Sequence, residues 1–421
     1  MQHQIPVSDL GPLGPVMAEA VQKCVHCGFC LPACPTYQVL GEEMDSPRGR
    51  VFLMKEVLEG RVALDEALPY VDRCLGCVGC VPACPSGVGY GELLTAFRAH
   101  AEPLRARNVA ERWFRWLILA TLPYPWRFRW AIRMGRWGKA LSGWLPRRMA
   151  VLWELLPERL PRAARLPAIV PAEPPRRARV ALLVGCAQRV LAPEIHESAI
   201  RVLTRNGADV LIPPQGCCGA LAAHAGVLPL ARRLAVRNIK SFPLDVDAVI
   251  TTAAGCGSGM HEYGLWLRGH EYEQAAVDLA RKTCDISVFL DRLGWRQPPP
   301  PLPRPVRVAY HDACHLAHAQ NVRQEPRRLL RAIPNVTLLD VPDGEFCCGS
   351  AGTYNMEQPE IAQHLGRQKA AAIRRTGAEC VVTGNIGCMV QLARFLAEPP
   401  AIPVLHTITL IDAAYQEKLL W

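Results

Sequence analysis

The chain has 421 residues, of which 50% are hydrophobic and 20% charged, which excludes disordered and collagen-like chains. No stretch approaches the roughly 18 consecutive apolar residues of a membrane-spanning helix, so an integral membrane protein is excluded too. The net charge of +10 is concentrated in residues 101–179, which hold 17 lysines and arginines against 5 acidic residues. At about 100–200 residues per domain, the length predicts two to four domains.

Eighteen cysteines are an unusual number for this length. Residues 1–15 have neither a basic segment nor an apolar one of the kind that directs export, so we expect a reducing compartment. In such a compartment cysteines bind metals more often than they form disulfides. The composition therefore favours bound metal.

A short, strict repeat opens the chain. The segment CVHCGFCLPACP at 24–35 returns as CLGCVGCVPACP at 74–85, and helical periodicity is found at 50–59 and 64–72. We predict a small helical, metal-organised domain over 16–100. Arg48 and Arg50, between the two runs, are expected either to offset negative charge on the metal or to cap a helix.

Each run has the Cys-x₂-Cys-x₂-Cys-x₃-Cys-Pro spacing of two-cluster ferredoxins, in which the fourth cysteine reaches the other cluster. Structural zinc is the alternative. Two exact copies favour two [4Fe–4S] clusters. The predicted ligand sets are Cys24, Cys27, Cys30 and Cys84 for cluster 1, and Cys74, Cys77, Cys80 and Cys34 for cluster 2.

The basic segment 101–178 is predicted to be a helical linker. Seven of the ten tryptophans lie in it, interleaved with arginines over 111–156. The pattern is typical of a helix lying on a membrane surface, although a helix pair docked on a partner subunit would show it too. Nucleic acid is not expected, because no compact module organises these residues. The residues concerned are Trp113, Trp116, Trp126, Trp130, Trp137, Trp144 and Trp153, with Arg112, Arg115, Arg127, Arg129, Arg133 and Arg136.

A longer repeat follows, in which strands alternate with helices. The first copy, 179–297, has predicted strands at 179–184, 209–212 and 247–251 and helices at 194–206 and 228–241. The second copy, 303–421, has strands at 306–310, 336–340 and 379–383 and helices at 324–332 and 359–376. Such alternation predicts parallel α/β sheets, and a proline run at 298–303 is expected to be a stiff linker.

Each copy carries a cysteine after its first strand, a Cys-Cys-Gly (CCG) loop after its second and a cysteine after its third. Parallel sheets bind ligands beyond the carboxyl ends of their strands, which is where these cysteines fall. Either they form metal sites or they are inert buried thiols of a duplicated domain. The candidates are Cys186, Cys217, Cys218, Cys256, Cys314, Cys347, Cys348 and Cys388, whereas Cys284 and Cys380 are expected to be core thiols.

Three histidines, His311, His315 and His318, flank Cys314 and are expected to face solvent or to be hydrogen-bonded, with proton relay or metal ligation as the alternative. Tyr263 is expected to be a packing residue.

With these motifs the chain resembles the iron–sulfur subunits of glycolate oxidase. More distantly it is similar to lactate-utilisation iron–sulfur proteins, the iron–sulfur subunit of anaerobic glycerol-3-phosphate dehydrogenase and heterodisulfide reductase. The matching segments are CVHCGFC with CPTYQ, DSPRGR, RCLGC with CPSGV, GCAQ, GCCGA, AGCG with EYG, HAQ, CCGSAGTYN and GNIGC. In heterodisulfide reductase the comparable cysteine-rich domains end in Cys-x-x-Cys, whereas Gly259 and Gln391 stand at the closing positions here, which puts a catalytic noncubane cluster in doubt.

The resemblance implies a multidomain fold with a bacterial-ferredoxin-like 2×[4Fe–4S] domain followed by two cysteine-rich CCG repeats. It also implies that a flavin-containing partner subunit, with FAD, oxidises a 2-hydroxy acid such as glycolate. This chain would pass the electrons through its clusters to a respiratory acceptor, with quinone the expected one. The expected location is cytoplasmic, on the inner face of the cytoplasmic membrane.

No phosphate-cradling glycine motif follows a strand, so no flavin, nicotinamide or catalytic residue is assigned to this chain. Two further hypotheses remain open. One is an autonomous disulfide or thiol reductase that uses a further iron–sulfur cluster on the CCG domains. The other is a scaffold whose second half only docks the flavin subunit.

Overall fold

The structure is a computed structural model that describes residues 1–138, 156–157, 159–163 and 165–421. The predicted interfacial segment 111–156 therefore lies partly outside the described residues, and Trp144 and Trp153 lie wholly outside them. The side chain of Trp137 is not described either.

The N-terminal region is a compact group of helices around two cysteine loops. Its α-helices are Gly14–Lys23, Pro35–Leu40, Pro47–Leu58, Leu64–Asp72 and Tyr90–Ala101, and its 3₁₀ helices are Val7–Leu13, Glu43–Asp45 and Glu102–Leu104. The helix predicted at 50–59 begins earlier, at Pro47, because the Ser46 hydroxyl accepts a hydrogen bond from the Gly49 N–H at 3.0 Å and proline is favourable in a first turn. Met17, Met54 and Phe97 are completely buried between these helices.

Two tryptophan-bearing helices follow as a hairpin, Val109–Thr121 and Pro125–Gly138. The Asn108 side chain caps the first of them by accepting a hydrogen bond from the Glu111 N–H at 2.8 Å. Among the described residues, no helix is long and apolar enough to cross a bilayer.

The first α/β unit is a five-stranded sheet in the order β1-β3-β2-β4-β5. Its strands are β1 (Ile169–Val170), β2 (Ala178–Leu182), β3 (Ala208–Leu211), β4 (Ala248–Thr251) and β5 (Thr283–Asp285). Its helices are Ala187–Leu191, Glu194–Arg205, Ala220–His224, Leu228–Ser241, Ala254–His261, Tyr263–Trp266, Glu273–Lys282 and Ile286–Leu293. All neighbours are parallel except the edge strand β1, which is antiparallel to β3.

The second α/β unit is a four-stranded, fully parallel sheet in the order β7-β6-β8-β9. Its strands are β6 (Val306–Tyr310), β7 (Val336–Asp340), β8 (Cys380–Thr383) and β9 (Val404–His406). Its helices are Cys314–Ala317, Gln324–Arg331, Tyr354–Glu357, Pro359–Arg375, Ile386–Leu396 and Thr407–Tyr415. The predicted parallel α/β repeat is confirmed, and β3-β2-β4-β5 corresponds to β7-β6-β8-β9.

Three short strands escaped prediction. β1 has two residues, and β5 and β9 have three each and pass directly into a helix, so no turn residue marks their ends. Because β1 pairs with β3, the first sheet begins at residue 169, before the domain boundary predicted at 179.

The two units share one hydrophobic core. Ile195 and Leu203 of the first unit and Ile408 and Ile411 of the C-terminal helix belong to the same buried cluster. Leu302, within the proline run, is buried in it as well, so that this run packs on the second unit and is not a free spacer.

Candidate metal centres

Cys24, Cys27, Cys30 and Cys84, the predicted cluster 1 set, line one small cavity in the N-terminal region. The first three lie on the loop between the helices Gly14–Lys23 and Pro35–Leu40, and Cys84 comes from the second loop. The structure thus brings together the residues that the ferredoxin spacing pairs across the repeat.

Cys34, Cys74, Cys77 and Cys80 line a second cavity, together with Arg50 and Tyr90, among other residues. These four are the predicted cluster 2 set. Their coordination of a cluster stays a prediction, but the exchange of the fourth cysteine between loops is present in the geometry.

The two loops have the same backbone shape. His26 and Gly28 have φ of 56° and 87°, and the equivalent Gly76 and Val78 have 64° and 51°. A left-handed conformation costs a non-glycine residue about 1–2 kcal/mol, so His26 and Val78 are held there against their preference. Such strain is typical of a loop shaped for a ligand.

The two sets differ in depth. Cys27 is exposed, and its neighbours Val25 and Phe29 are 64% and 68% exposed, whereas Cys74 and Cys80 are buried. Set 1 therefore reaches the surface of the molecule at Cys27, whereas no cysteine of set 2 is exposed.

Buried positive charge accompanies set 2. Arg50 is fully buried, and its Nη1 lies 3.8 Å from the Cys34 Sγ, while its Nη2 donates to Asp45 at 3.0 Å. Burial would by itself raise the pKa of the Cys74 thiol, but Arg50 and Arg98 lower that pKa overall. The Tyr90 hydroxyl also donates to the Cys74 Sγ at 3.5 Å.

These donors fit an anionic thiolate–metal cluster. Burial raises the pKa of Cys30 to about 11, and coordination to a metal would deprotonate such a thiol at neutral pH. Of the two predicted charge-compensating arginines, Arg50 contacts a candidate ligand. Arg48 pairs with Glu43 at 2.7 Å and donates to the His26 carbonyl at 3.1 Å, which supports the loop backbone instead.

The first CCG site lies at the carboxyl ends of β2, β3 and β4, as predicted for parallel strands. The Cys186 and Cys217 sulfurs are 3.3 Å apart. Hydrogen bonds from Cys217 and Cys256 lower the pKa of Cys218. The four predicted residues therefore form one contiguous thiol group.

The second CCG site repeats this arrangement. The Cys314 and Cys347 sulfurs are 4.0 Å apart, and hydrogen bonds from Cys347 and Cys388, and then His311, lower the pKa of Cys348. The Asn385 side-chain amide donates to the Cys388 Sγ at 3.3 Å.

The two closing positions that depart from Cys-x-x-Cys have structural reasons. A Cβ on Gly259 would lie 2.6 Å from the Ala220 Cβ, so the helices at the first site leave no room for a side chain. At the second site the buried Gln391 donates to the Cys348 carbonyl at 3.2 Å. Tyr263 has the same role in the first copy, where its hydroxyl donates to the Cys218 carbonyl at 2.8 Å.

The histidines near Cys314 differ from one another. His315 lies 2.6 Å from the Ser258 hydroxyl, with its pKa lowered to about 4 by burial, and the His318 Nε2 lies 3.0 Å from the Glu345 carbonyl. His311 is completely buried and so does not face solvent, and its ring nitrogens have no nitrogen or oxygen partner, which leaves the Cys348 thiol as the polar neighbour of the ring. The sequence could have indicated this residue, since a histidine between a buried strand and a candidate ligand cysteine is unusual.

The four thiol groups are close neighbours. Leu75 and Cys77 of the second loop pack in one cluster with Cys314 and Cys347. A cavity of about 280 Å³ separates Cys74 from the first CCG site. Cys284 and Cys380 lie in strands, away from these groups, and burial raises the pKa of each to about 12, as expected of core thiols.

Two ferredoxin-like thiol sets followed by a duplicated α/β unit with CCG loops define an iron–sulfur protein. Residues 20–88 match the 4Fe-4S dicluster domain family, and 180–261 and 308–393 each match the cysteine-rich domain family. The chain belongs to the glycolate oxidase iron–sulfur subunit family. The resemblance drawn from the motifs is therefore confirmed.

Three relatives illustrate the range of the similarity. The glycolate oxidase iron–sulfur subunit of Escherichia coli is 35% identical over 94% of this chain and 95% of its own length. The probable glycolate oxidase iron–sulfur subunit of Bacillus subtilis is 36% identical over 88% of each chain. Lactate utilization protein A of Oceanobacillus iheyensis is 29% identical over 56% of this chain and 96% of its own.

Proposed function

We propose that this chain is the electron-transfer subunit of a complex that oxidises glycolate or a related 2-hydroxy acid. A flavin, FAD, on a partner subunit would take the electron pair from the substrate, and this chain would deliver the electrons to a respiratory quinone. A [4Fe–4S] cluster supplies one-electron redox chemistry when it is bound. The observation that carries the proposal is the graded series of thiol groups, from the exposed Cys27 to the buried Cys74 and on to Cys314.

The surface around set 1 is suited to meet the flavin subunit. Val25 and Phe29 project from the first loop with most of their surface exposed, on either side of Cys27. Exposed apolar side chains beside a redox site are typical of a docking surface, since their burial favours association. We therefore assign electron entry to this face.

The residues around set 2 would offset the negative charge of a bound cluster and shield it from water. Arg50 and Tyr90 face the Cys34 and Cys74 thiols from two helices, and Arg98, on the same helix as Tyr90, donates to the Cys74 carbonyl. The Tyr354 hydroxyl of the second CCG unit donates to the Arg73 carbonyl at 2.8 Å, which ties that unit to the loop of set 2.

The tryptophan hairpin is the part of the chain we assign to the membrane surface, on the cytoplasmic side. Trp113, Trp116, Trp126 and Trp130 are each 56–63% exposed. Arginines stack on two of them, with the Arg127 guanidinium 5.2 Å from the Trp126 ring and that of Arg133 5.6 Å from the Trp130 ring. Indole rings at headgroup depth with arginines beside them suit an anionic bilayer, where a lipid-soluble quinone is available.

The test uses the assembled complex with Cys27→Ser, and Cys380→Ala as the matched control in a core strand. We expect Cys27→Ser to abolish glycolate-dependent quinone reduction while the partner flavin still reduces an artificial dye. Cys380→Ala should leave both reactions intact. Unchanged quinone reduction in Cys27→Ser would contradict the proposed route.

A further inference from the structure

We propose that His311 is a metal ligand of the second CCG site. That site would then combine imidazole with thiolates, while the first site offers thiolates only. This inference does not depend on which substrate feeds the complex.

The sheet fixes the position of His311. The backbone N–H of this residue, directly after β6, donates to the Val382 carbonyl at 2.9 Å. One ring nitrogen and the sulfurs of Cys348 and Cys388 all lie within 4.8 Å of one another, and all three residues are buried. A tetrahedral or cluster site needs such a convergence of ligand atoms.

Among the described residues, the polar partner of the ring is the Cys348 thiol, which is itself a candidate ligand. Neither nitrogen hydrogen-bonds to a nitrogen or oxygen atom, although the side chain is 0% exposed. Leaving a buried polar group unsatisfied costs about 1–3 kcal/mol. By contrast, the equally buried His406 uses both nitrogens, facing the Thr252 carbonyl at 2.7 Å and accepting from the Ile408 N–H at 3.1 Å. A bound metal would satisfy a nitrogen of His311.

The internal repeat shows that the fold does not require histidine here. Leu183 occupies the same position in the first copy, three residues before Cys186 as His311 is before Cys314. Its N–H donates to the Ile250 carbonyl at the same 2.9 Å. Leu183 simply packs in the core. The imidazole is therefore a property of the second site and not of the strand end.

A second difference between the two copies also supports a metal site in the second copy. Asn385 donates to the Cys388 sulfur, whereas the equivalent residue of the first copy, Ala253, has no side-chain donor. Polar groups of this kind orient metal ligands and tune the centre they hold.

Mixed imidazole–thiolate sites hold iron or zinc. His311 adds a neutral imidazole to the four cysteines that both copies have, so the second site offers one more ligand atom without a change in the number of thiolates.

The experiment compares anaerobically purified full-length wild type with His311→Leu, which copies the first site, and His311→Cys, which restores a ligand. Iron and zinc per chain are measured, with X-ray absorption at the edge of the metal found and pulsed EPR on protein containing ¹⁵N-histidine. We expect His311→Leu to lose the metal of the second site and its nitrogen signal. The EPR of the dicluster domain should persist as the marker of folding, and His311→Cys should regain metal without nitrogen.

Two results would overturn the inference. One is a wild-type chain with only the roughly eight irons of two [4Fe–4S] clusters and no other metal. The other is a His311→Leu protein with wild-type metal content and an unchanged absorption spectrum. Iron and zinc are distinguished by the metal analysis itself, and either one at His311 supports the assignment.

Discussion

The Arg50 guanidinium lies 3.8 Å from the Cys34 sulfur, at the centre of the N-terminal region and out of contact with solvent. Burial alone would lower the pKa of this guanidinium, but the surrounding Cys74, Tyr90, Cys34 and Asp45 raise it overall. Its remaining donors go to the Thr36 hydroxyl at 2.9 Å and the Tyr70 carbonyl at 2.7 Å. A fully paired cation is thus part of the wall around set 2.

Replacing this cation should be costly. We predict that Arg50→Gln destabilises the protein by up to about 3–5 kcal/mol, because the buried Asp45 loses one of its two cations and keeps only Arg73, at 3.3 Å. The reduction potential of the cluster predicted at set 2 should also fall, because the variant lacks a positive charge that stabilises the added electron. Urea unfolding and a redox titration followed by EPR measure the two effects.

Arg48→Gln is the matched control for this prediction. Arg48 pairs with Glu43 near the surface, where the two side chains are 30% and 43% exposed, and such pairs contribute about 0–1 kcal/mol. Equal losses in the two variants would show that the buried position of Arg50 has no special role.

Glu262 gives the stability of the chain a predicted pH dependence. Burial raises the pKa of this carboxyl to about 7, although Trp266 and Thr95 donate hydrogen bonds to it. The folded protein therefore keeps a proton that the unfolded chain releases near pH 4.3. The stabilisation is complete below that pH and is lost as the pH rises through about 7, with a total on the order of 3–4 kcal/mol.

Urea unfolding at pH 5 and pH 8 checks this. We expect Glu262→Gln to lose less stability than wild type between these two values, because glutamine keeps the acceptor oxygen without the titration. Glu271→Gln, at an exposed position that is not among the groups shifting the pKa of Glu262, should behave like wild type. A Glu262→Gln curve parallel to that of wild type would contradict the assignment.

The shared core predicts that the two CCG units unfold together. Ile411 is fully buried in the cluster that joins them, and Asp412 beside it pairs with Arg201 at 2.6 Å and accepts from Ser198 at 2.9 Å. Ile411→Ala should cost about 2–5 kcal/mol. Hydrogen exchange should show reduced amide protection in β2 of the first unit as well as in β6 of the second. Reduced protection confined to the second unit would refute a common core.

Much of the fold could be predicted because its signals are local. The strands Val306–Tyr310 and Val336–Asp340 and the helix Leu228–Ser241 have the predicted bounds, since each combines clear periodicity with flanking turn residues. Strands β5 and β9 lacked both signals. The common core was beyond prediction because the packing of Ile195 and Ile411 into one buried cluster is set by tertiary structure, which periodicity does not encode.

The features of the candidate site could likewise be predicted only where their signals are local in the sequence. Spacing alone grouped the ferredoxin-type thiols as the structure arranges them, because the loop geometry is local and repeated. The role of Arg98, which donates to the Cys74 carbonyl at 2.8 Å and the His224 carbonyl at 3.2 Å, could not be predicted, since these partners are 24 and 126 residues away. His311 could have been found by aligning the two copies, where it replaces Leu183.

The tryptophan hairpin yields a prediction on membrane binding. Trp116→Ala combined with Trp126→Ala should weaken binding to vesicles with phosphatidylglycerol, because each exposed indole contributes apolar area at headgroup depth. Binding should also fall with rising salt, since arginines such as Arg127 and Arg133 attract anionic lipid. Co-sedimentation with anionic and with zwitterionic vesicles measures both effects.

Leu244→Ala provides the control for this last prediction, because Leu244 is 48% exposed on the first CCG unit, outside the hairpin. It should bind vesicles like wild type. If the double tryptophan variant binds vesicles normally but no longer assembles with the flavin subunit, the hairpin is a protein-docking element. Loss of vesicle binding with assembly intact would instead assign it to the lipid surface, because only the bilayer contact would then depend on the indoles.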